Sequence, residues 1–132
     1  MKEFSYKGEK FSFQWDPKEG IVFIKLWGPQ EKKDAEEFKK VAEDFLEKFP
    51  EVDPAKMLVD CSEQGNIEYE ARRIYTDAAR LPRRGFVAVC GSNTIVRLIA
   101  GFLLAAAKRD SIRLFKNRES GLKWLKEING GK

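Results

Sequence analysis

Lys56-Met57-Leu58-Val59-Asp60-Cys61 and Gly85-Phe86-Val87-Ala88-Val89-Cys90 decide the fold. Each is a short, nearly uninterrupted apolar run bounded by turn-forming residues. A strand that faces water on one side alternates apolar and polar residues, whereas a strand buried on both faces does not. Each run leads into a stretch with helical periodicity, and strands alternating with helices imply a largely parallel sheet covered by helices.

Upstream, Lys10-Phe11-Ser12-Phe13-Gln14-Trp15 places an aromatic at every second position, which predicts a strand with one buried face. Asp16-Pro17-Lys18-Glu19-Gly20 reads as a turn, and Ile21 to Trp27 as a second strand ended by Gly28-Pro29. So short a link favours an antiparallel pair. From Lys32 to Phe49 the period changes: Ala35, Phe38, Val41, Ala42, Phe45, Leu46 and Phe49 recur three and four apart, and Pro50 closes the helix.

Downstream of the first core run, Gln64-Gly65-Asn66 reads as a turn with Asn66 as helix N-cap. Ile67, Ala71, Ile74, Tyr75, Ala78 and Leu81 then mark the buried face of a second helix, ended by Pro82. After Cys90, Gly91-Ser92-Asn93-Thr94 opens a third helix reaching about Arg109. Ile112-Arg113-Leu114-Phe115 is the last strand, and a final helix from about Arg118 carries Leu122, Trp124, Leu125 and Ile128. The predicted order is β-β-α-β-α-β-α-β-α: a single α/β domain over 1–132, with its core at about 10–128, a mixed, mostly parallel sheet, an antiparallel N-terminal strand and a short flexible C-terminal tail.

The totals narrow the function classes. The chain has 132 residues, 42% hydrophobic and 35% charged, which suits one folded domain. Its net charge of +4 spreads over 25 basic and 21 acidic residues, too evenly mixed to point to nucleic acid. Two cysteines without Cys-x-x-Cys spacing make no disulfide framework. The opening residues lack an apolar signal-peptide core, and the longest apolar run, Leu98 to Ala107, is about half of what a bilayer crossing needs. A cytoplasmic setting is expected. The chain contains no histidine, which removes the usual general base near neutral pH and the commonest metal ligand.

The closing stretch, Ile112-Arg113-Leu114-Phe115-Lys116-Asn117-Arg118-Glu119-Ser120-Gly121-Leu122-Lys123-Trp124-Leu125, resembles the "vrvF-x-x-x-eeA-x-x-WL" ending of SpoIIAA-like proteins in the STAS group. The element order is similar to the STAS fold of anti-sigma factor antagonists over roughly residues 10 to 128. The resemblance implies that Phe115, Trp124 and Leu125 are core anchors and that the domain binds a protein partner rather than catalyses. Some members hold nucleotides or lipid-like ligands. In anti-sigma factor antagonists, a serine in an Asp-Ser-Ser-Gly-like segment is phosphorylated to break the partner complex. The corresponding stretch here, Val59 to Ile67, keeps Asp60 and a serine, Ser62, but lacks the Ser-Gly pair.

Candidate sites follow. Ser62, expected just past a strand's carboxyl end and next to Asp60, is either a phospho-switch or a loop serine bonded locally. Gly91, Ser92, Asn93 and Thr94 either cradle an anion with backbone N–H groups or simply cap a helix. Cys61 and Cys90 are most simply core thiols, with redox pairing as the alternative. Arg72, Arg73, Arg80, Arg83 and Arg84 either grip an acidic partner or form a solvated face balanced by Glu68, Glu70 and Asp77. Glu68 and Glu70 point in different directions on a helix and make no catalytic dyad. The third helix is apolar nearly all round. Ile99, Phe102 and Leu103 are therefore buried within the domain, in a homodimer seam, or against a lipid-like ligand.

The leading expectation is a non-catalytic, STAS-like regulatory module with an unidentified protein partner, acting as a homodimer, without cofactor, metal, nucleic acid or membrane span. Its contact surface would include the Ser62 loop and the second helix with Arg73 and Arg80. The alternative is a carrier or sensor of a small apolar or anionic ligand, lipid-like or nucleotide. A catalytic domain is disfavoured because no nucleophile–base pair can be assembled.

Overall fold

The computed structural model describes residues 3–52, 55–78, 84–91 and 112–128. Six strands form one sheet in chain order: β1 (Ser5–Lys7), β2 (Phe11–Asp16), β3 (Ile21–Gln30), β4 (Ala55–Ile67), β5 (Arg84–Cys90) and β6 (Ile112–Phe115). The first three pair antiparallel, and β3 to β6 pair parallel. Helices α1 (Lys32–Lys48), α2 (Tyr69–Ala78) and α3 (Arg118–Glu127) complete the described elements. This is the expected mixed α/β sheet. The expected third helix, with Ser92, Asn93, Thr94, Ile99, Phe102 and Leu103, lies outside the described residues, as do Arg80 and the C-terminal tail.

Alternation along the strands gives the sheet two different faces. One carries Phe11, Phe13, Val22, Ile24, Met57, Val87, Val89 and Ile112, which pack with Ala35, Phe38, Val41, Phe45 and Phe49 of α1 and its end, and with Ala71, Tyr75 and Ala78 of α2. The stripe predicted for α1 is buried residue for residue. Edge-to-face and tilted contacts among Phe4, Phe13, Phe38, Phe45 and Trp15 fill this larger core. The opposite face carries a smaller core of Ile21, Leu58, Ala88 and Cys90 under Leu125 of α3, flanked by Phe23, Phe86, Phe115, Leu122 and Trp124. Of the three anchors expected at the chain's end, Leu125 is fully buried, while Phe115 and Trp124 are half-buried at the margin of this cluster.

Local chemistry sets the element ends. Asp16 Oδ1 accepts from the N–H groups of Lys18 (3.0 Å) and Glu19 (3.1 Å), and Gly20 takes φ 71°, so the predicted turn forms. Glu31 and Asp34 make a reciprocal capping box at the start of α1. Asn117 Oδ1 accepts from Ser120 N at 2.8 Å and starts α3.

Three expectations need correction. The antiparallel part begins earlier, with β1, whose Tyr6 hydroxyl donates to Glu37 of α1. Gly28-Pro29 does not end β3: Gly28 adopts φ 71°, Pro29 falls within a register slip, where a residue without an N–H is tolerated, and pairing continues to Gln30↔Ile67. Gln64-Gly65-Asn66 is not a turn and Asn66 caps nothing: these residues extend β4, and α2 starts at Tyr69. The misreading has a physical cause. A Cβ on Gly65 would lie 3.0 Å from Pro29 N and 3.1 Å from Gly28 C, so this glycine serves close strand approach rather than a turn.

Gly121 seats α3 in a similar way. A Cβ there would come within 2.7 Å of Cys90 Sγ and 3.2 Å of the Ala88 Cβ. Gly121→Ala is therefore expected to destabilise the chain by about 1–3 kcal/mol. Cys90→Ala in the same chain restores part of that loss, read from denaturant midpoints. Equal losses with and without the Cys90 change would contradict the contact.

Candidate functional site

Three of the expected site residues, Asp60, Ser62 and Gly91, lie near the level where β5 and β6 end. Across β2 to β6 one row of partners reads Ser12, Lys25, Asp60, Cys90 and Phe115. It lies on the α3 side, since Leu58 and Cys90 belong to the smaller core and side chains two apart share a face. Beyond this row β4 runs past β5. Its register to β3 slips twice: Lys25↔Asp60 is followed by Trp27↔Glu63, and Gly28↔Gln64 by Gln30↔Ile67. Each slip sets three β4 residues against two of β3, which is a bulge that bends the strand and re-aims its side chains.

Ser62 sits in the first bulge, inside β4 and not past its end as expected. It is exposed. Asp60 Oδ1 accepts both its hydroxyl (2.7 Å) and its backbone N–H (3.0 Å), so the side chain that defines the bulge also orients the serine. Next to it, Lys25 Nζ meets Glu63 Oε2 at 2.6 Å. That hydrogen-bonded carboxylate holds the Lys25 ammonium above its usual pKa, with its charge and that of Asp60 adding in the same direction against desolvation. A phosphoryl group on Ser62 Oγ would replace the donated hydrogen bond with nearly two negative charges beside Asp60.

Arg73 belongs to a different layer. It is exposed on α2, over the face that carries the larger core, together with Arg72 and Tyr69. Tyr69 is 71% exposed, the largest such value among the described apolar side chains. Arg72 Nε donates to Ile67 O at 3.1 Å, tying α2 to the end of β4. Asp60 and Ser62 therefore form one local unit, and Arg73 joins them only through the β4–α2 corner. Gly91 adopts φ 156° after β5, and its N–H donates to Phe115 O at 2.9 Å. That backbone donor is spent on the sheet rather than on an anion.

The corner is held by Gln30, a fully buried polar residue that sequence reasoning missed. Its Nε2 donates toward the carbonyls of Trp27 (3.1 Å), Lys10 (3.3 Å) and Gly28 (3.3 Å), and its Oε1 accepts the Tyr75 hydroxyl at 2.5 Å. Burial, then the charges of Asp34 and Cys61, push the Tyr75 pKa upward. Lys25 and Glu63 were missed as well, since only the parallel register brings them together. The signal for Tyr69 was present: it falls off the apolar stripe of α2.

Cys61 and Cys90 are both buried free thiols on neighbouring strands. Cys61 joins the α1–α2 core and Cys90 the α3 core, so they face opposite sides of the sheet. Burial first, and Asp60 second, raise Cys61 to about 12 and Cys90 to about 11, with Arg118 opposing the rise at Cys90. Among the described residues no group of three or more Cys, Asp or Glu side chains is placed to hold a metal. No described helix is long and apolar enough to cross a membrane.

This architecture, with antiparallel strands leading a parallel half and helices on both faces, has the SpoIIAA-like fold. A crystal structure of an uncharacterized DUF3478-family protein with that fold, from Shewanella loihica PV-4, superposes with a TM-score of 0.63 and 14% identity, covering 94% of this chain and 92% of that one. The chain itself belongs to DUF7793, a domain of unknown function, whose family profile matches residues 15–129. No curated protein matches it.

The raised thiols fix a pH response. The folded chain keeps both protons up to about 11 and about 12, while the unfolded chain releases them near the ordinary value of 9.0. Stability is therefore whole below about pH 8 and falls as pH rises through 9 toward 11. Native-state alkylation near pH 8 is expected to run at least about a hundredfold slower than for a free thiol. Both cysteines should react once denaturant is added, with mass spectrometry as the readout; fast labelling of Cys90 in the native state would contradict its burial.

Proposed function

We propose that this chain is a non-catalytic, STAS-like regulatory module that binds a protein partner through the β4–α2 corner. The observation that carries the reading is Tyr69, 71% exposed beside Arg72 and Arg73 on α2, directly after the bulged end of β4 that presents Ser62 and Glu63. Tyrosine and arginine are, with tryptophan, the side chains enriched among residues that dominate protein interfaces, because each combines contact area with directed polar groups. The corner is also rigid. Gln30 and Tyr75 hold it from beneath, and Arg72 clamps Ile67 O, so docking there loses little conformational entropy.

The non-catalytic part of the proposal rests on residue chemistry. The chain has no histidine, and its two thiols are buried with raised pKa values. Ser62 faces a carboxylate rather than a base–acid relay. Asp60 and Ser62 are proposed as the switch that tunes partner affinity, Arg73 as a partner contact, and the cytoplasm as the setting.

The test is affinity purification of the tagged full chain from its source cell, followed by mass spectrometry of proteins and small molecules in the eluate. One stoichiometric protein partner is expected, retained by the wild type and lost at least about tenfold in Tyr69→Ala and in Arg73→Glu. Lys123→Glu, on the outer side of α3, should leave it unchanged. A bound small molecule without any protein partner would replace this reading with that of a carrier.

A further inference from the structure

We propose that the open half of the α3-side sheet face is a second site, for a small zwitterion of the amino-acid class, independent of the partner-binding corner. Strand registers build its floor. Ser5, Gln14 and Phe23 are successive cross-strand partners, and the row continues under α3 as Leu58 and Ala88. The apolar contacts of α3 cover only the parallel part of that row, reaching Ile21, Leu58, Ala88 and Cys90 with Phe23 at the margin, while Lys126 reaches the β2–β3 turn to meet Glu19 at 3.0 Å. Between the helix and β1 lies a groove of about 560 Å³, lined by Ser5, Gln14 and Phe23 and bounded by Arg118, Glu3 and Asp16. That volume falls within the usual range of small-molecule sites.

Charge is sorted across the groove. On the α3 side Arg118 lies over the Phe23 ring, its Cζ 5.0 Å from the centroid. This cation–π contact holds the exposed guanidinium beside the groove. Among the described residues Arg118 has no carboxylate partner, and a guanidinium can meet a ligand carboxylate with two parallel hydrogen bonds. At the turn end stand two carboxylates. Glu3 is exposed and in no described ion pair, while Asp16 uses Oδ1 on the Lys18 and Glu19 N–H groups and keeps Oδ2. They suit an ammonium group. Between them, the Ser5 hydroxyl and the Gln14 carboxamide offer both donors and acceptors.

A polyanion such as a nucleotide would meet the two carboxylates. A wholly apolar ligand would leave the hydroxyl, the carboxamide and the guanidinium without partners. A molecule with one carboxylate and one ammonium satisfies both ends. The corner proposed for partner binding shares none of these residues.

The test is titration of the purified full chain with free amino acids spanning small, aliphatic, aromatic and charged side chains, followed by amide chemical shifts and calorimetry. At least one is expected to bind saturably with a Kd below about 1 mM, shifting the Ser5, Gln14 and Phe23 signals. N-acetylation of that amino acid and conversion to its amide should each weaken binding at least about tenfold. Arg118→Ala and Gln14→Ala should do the same while keeping the wild-type melting curve. Arg118→Lys, which keeps the charge without the planar fork, should fall between. The proposal is overturned by any of three results: no saturable binding up to about 10 mM, equal binding of the blocked analogues, or shifts confined to the β4–α2 corner.

Discussion

The parallel pairing of β3 with β4 is the constraint on which the rest of the molecule depends. β3 is the strand where the sheet changes sense, antiparallel to β2 and parallel to β4. Both of its faces are covered in part, by Val22 and Ile24 in the larger core and by Ile21 in the smaller one. The two bulges let β4 carry more residues than β3 along the same length, and that excess has three consequences. It places Ser62 where Asp60 can hold it. It brings Glu63 onto Lys25. It delivers Ile67 to the point where Arg72 and the Gln30–Tyr75 pair lock α2. Register is strongly specified here because a one-residue slip would turn the apolar set of β4 to the wrong faces.

Much of the fold was legible, and for a physical reason. Where burial alone shapes a segment, its periodicity is written in the residues: the α1 stripe, the Phe11–Phe13–Trp15 alternation and the two core strands all follow it. The end of the chain was legible through likeness to SpoIIAA-like proteins, and the superposition carries the same fold. Where a residue serves a neighbouring strand rather than its own segment, the local reading failed. Gly65 signals a turn by composition and a close strand approach by position. Pro29 signals an end, yet it falls in the register slip between Gly28 and Gln30, where a missing N–H is tolerated. The short Ser5–Lys7 strand has too few residues to show a period at all.

The candidate site was less legible than the fold. Asp60 and Ser62 are two apart, so their hydrogen bonding was within reach of the sequence. Lys25, Glu63 and Gln30 come to the corner only through register, which no single-segment pattern encodes. Tyr69 is the instructive case: a large side chain off the apolar stripe is often surface noise, but beside Arg72 and Arg73 on a clamped helix start it is the centre of the contact surface proposed above. The sheet thus separates two chemistries. The β4–α2 corner presents Tyr69, Arg72 and Arg73 among exposed carboxylates on a clamped frame, while the face beyond α3 offers a groove lined by Ser5, Gln14 and Phe23 with charged groups at its margins.

The central claim, that the β4–α2 corner is the surface where a partner protein docks, is tested most directly by amide hydrogen exchange of the full chain, free and with its co-purified partner. The expected result is slowed exchange confined to residues 62–73, with α3 and the β1–β2 edge unchanged. Slowing confined to residues 118–128, or none in 62–73, would contradict the account.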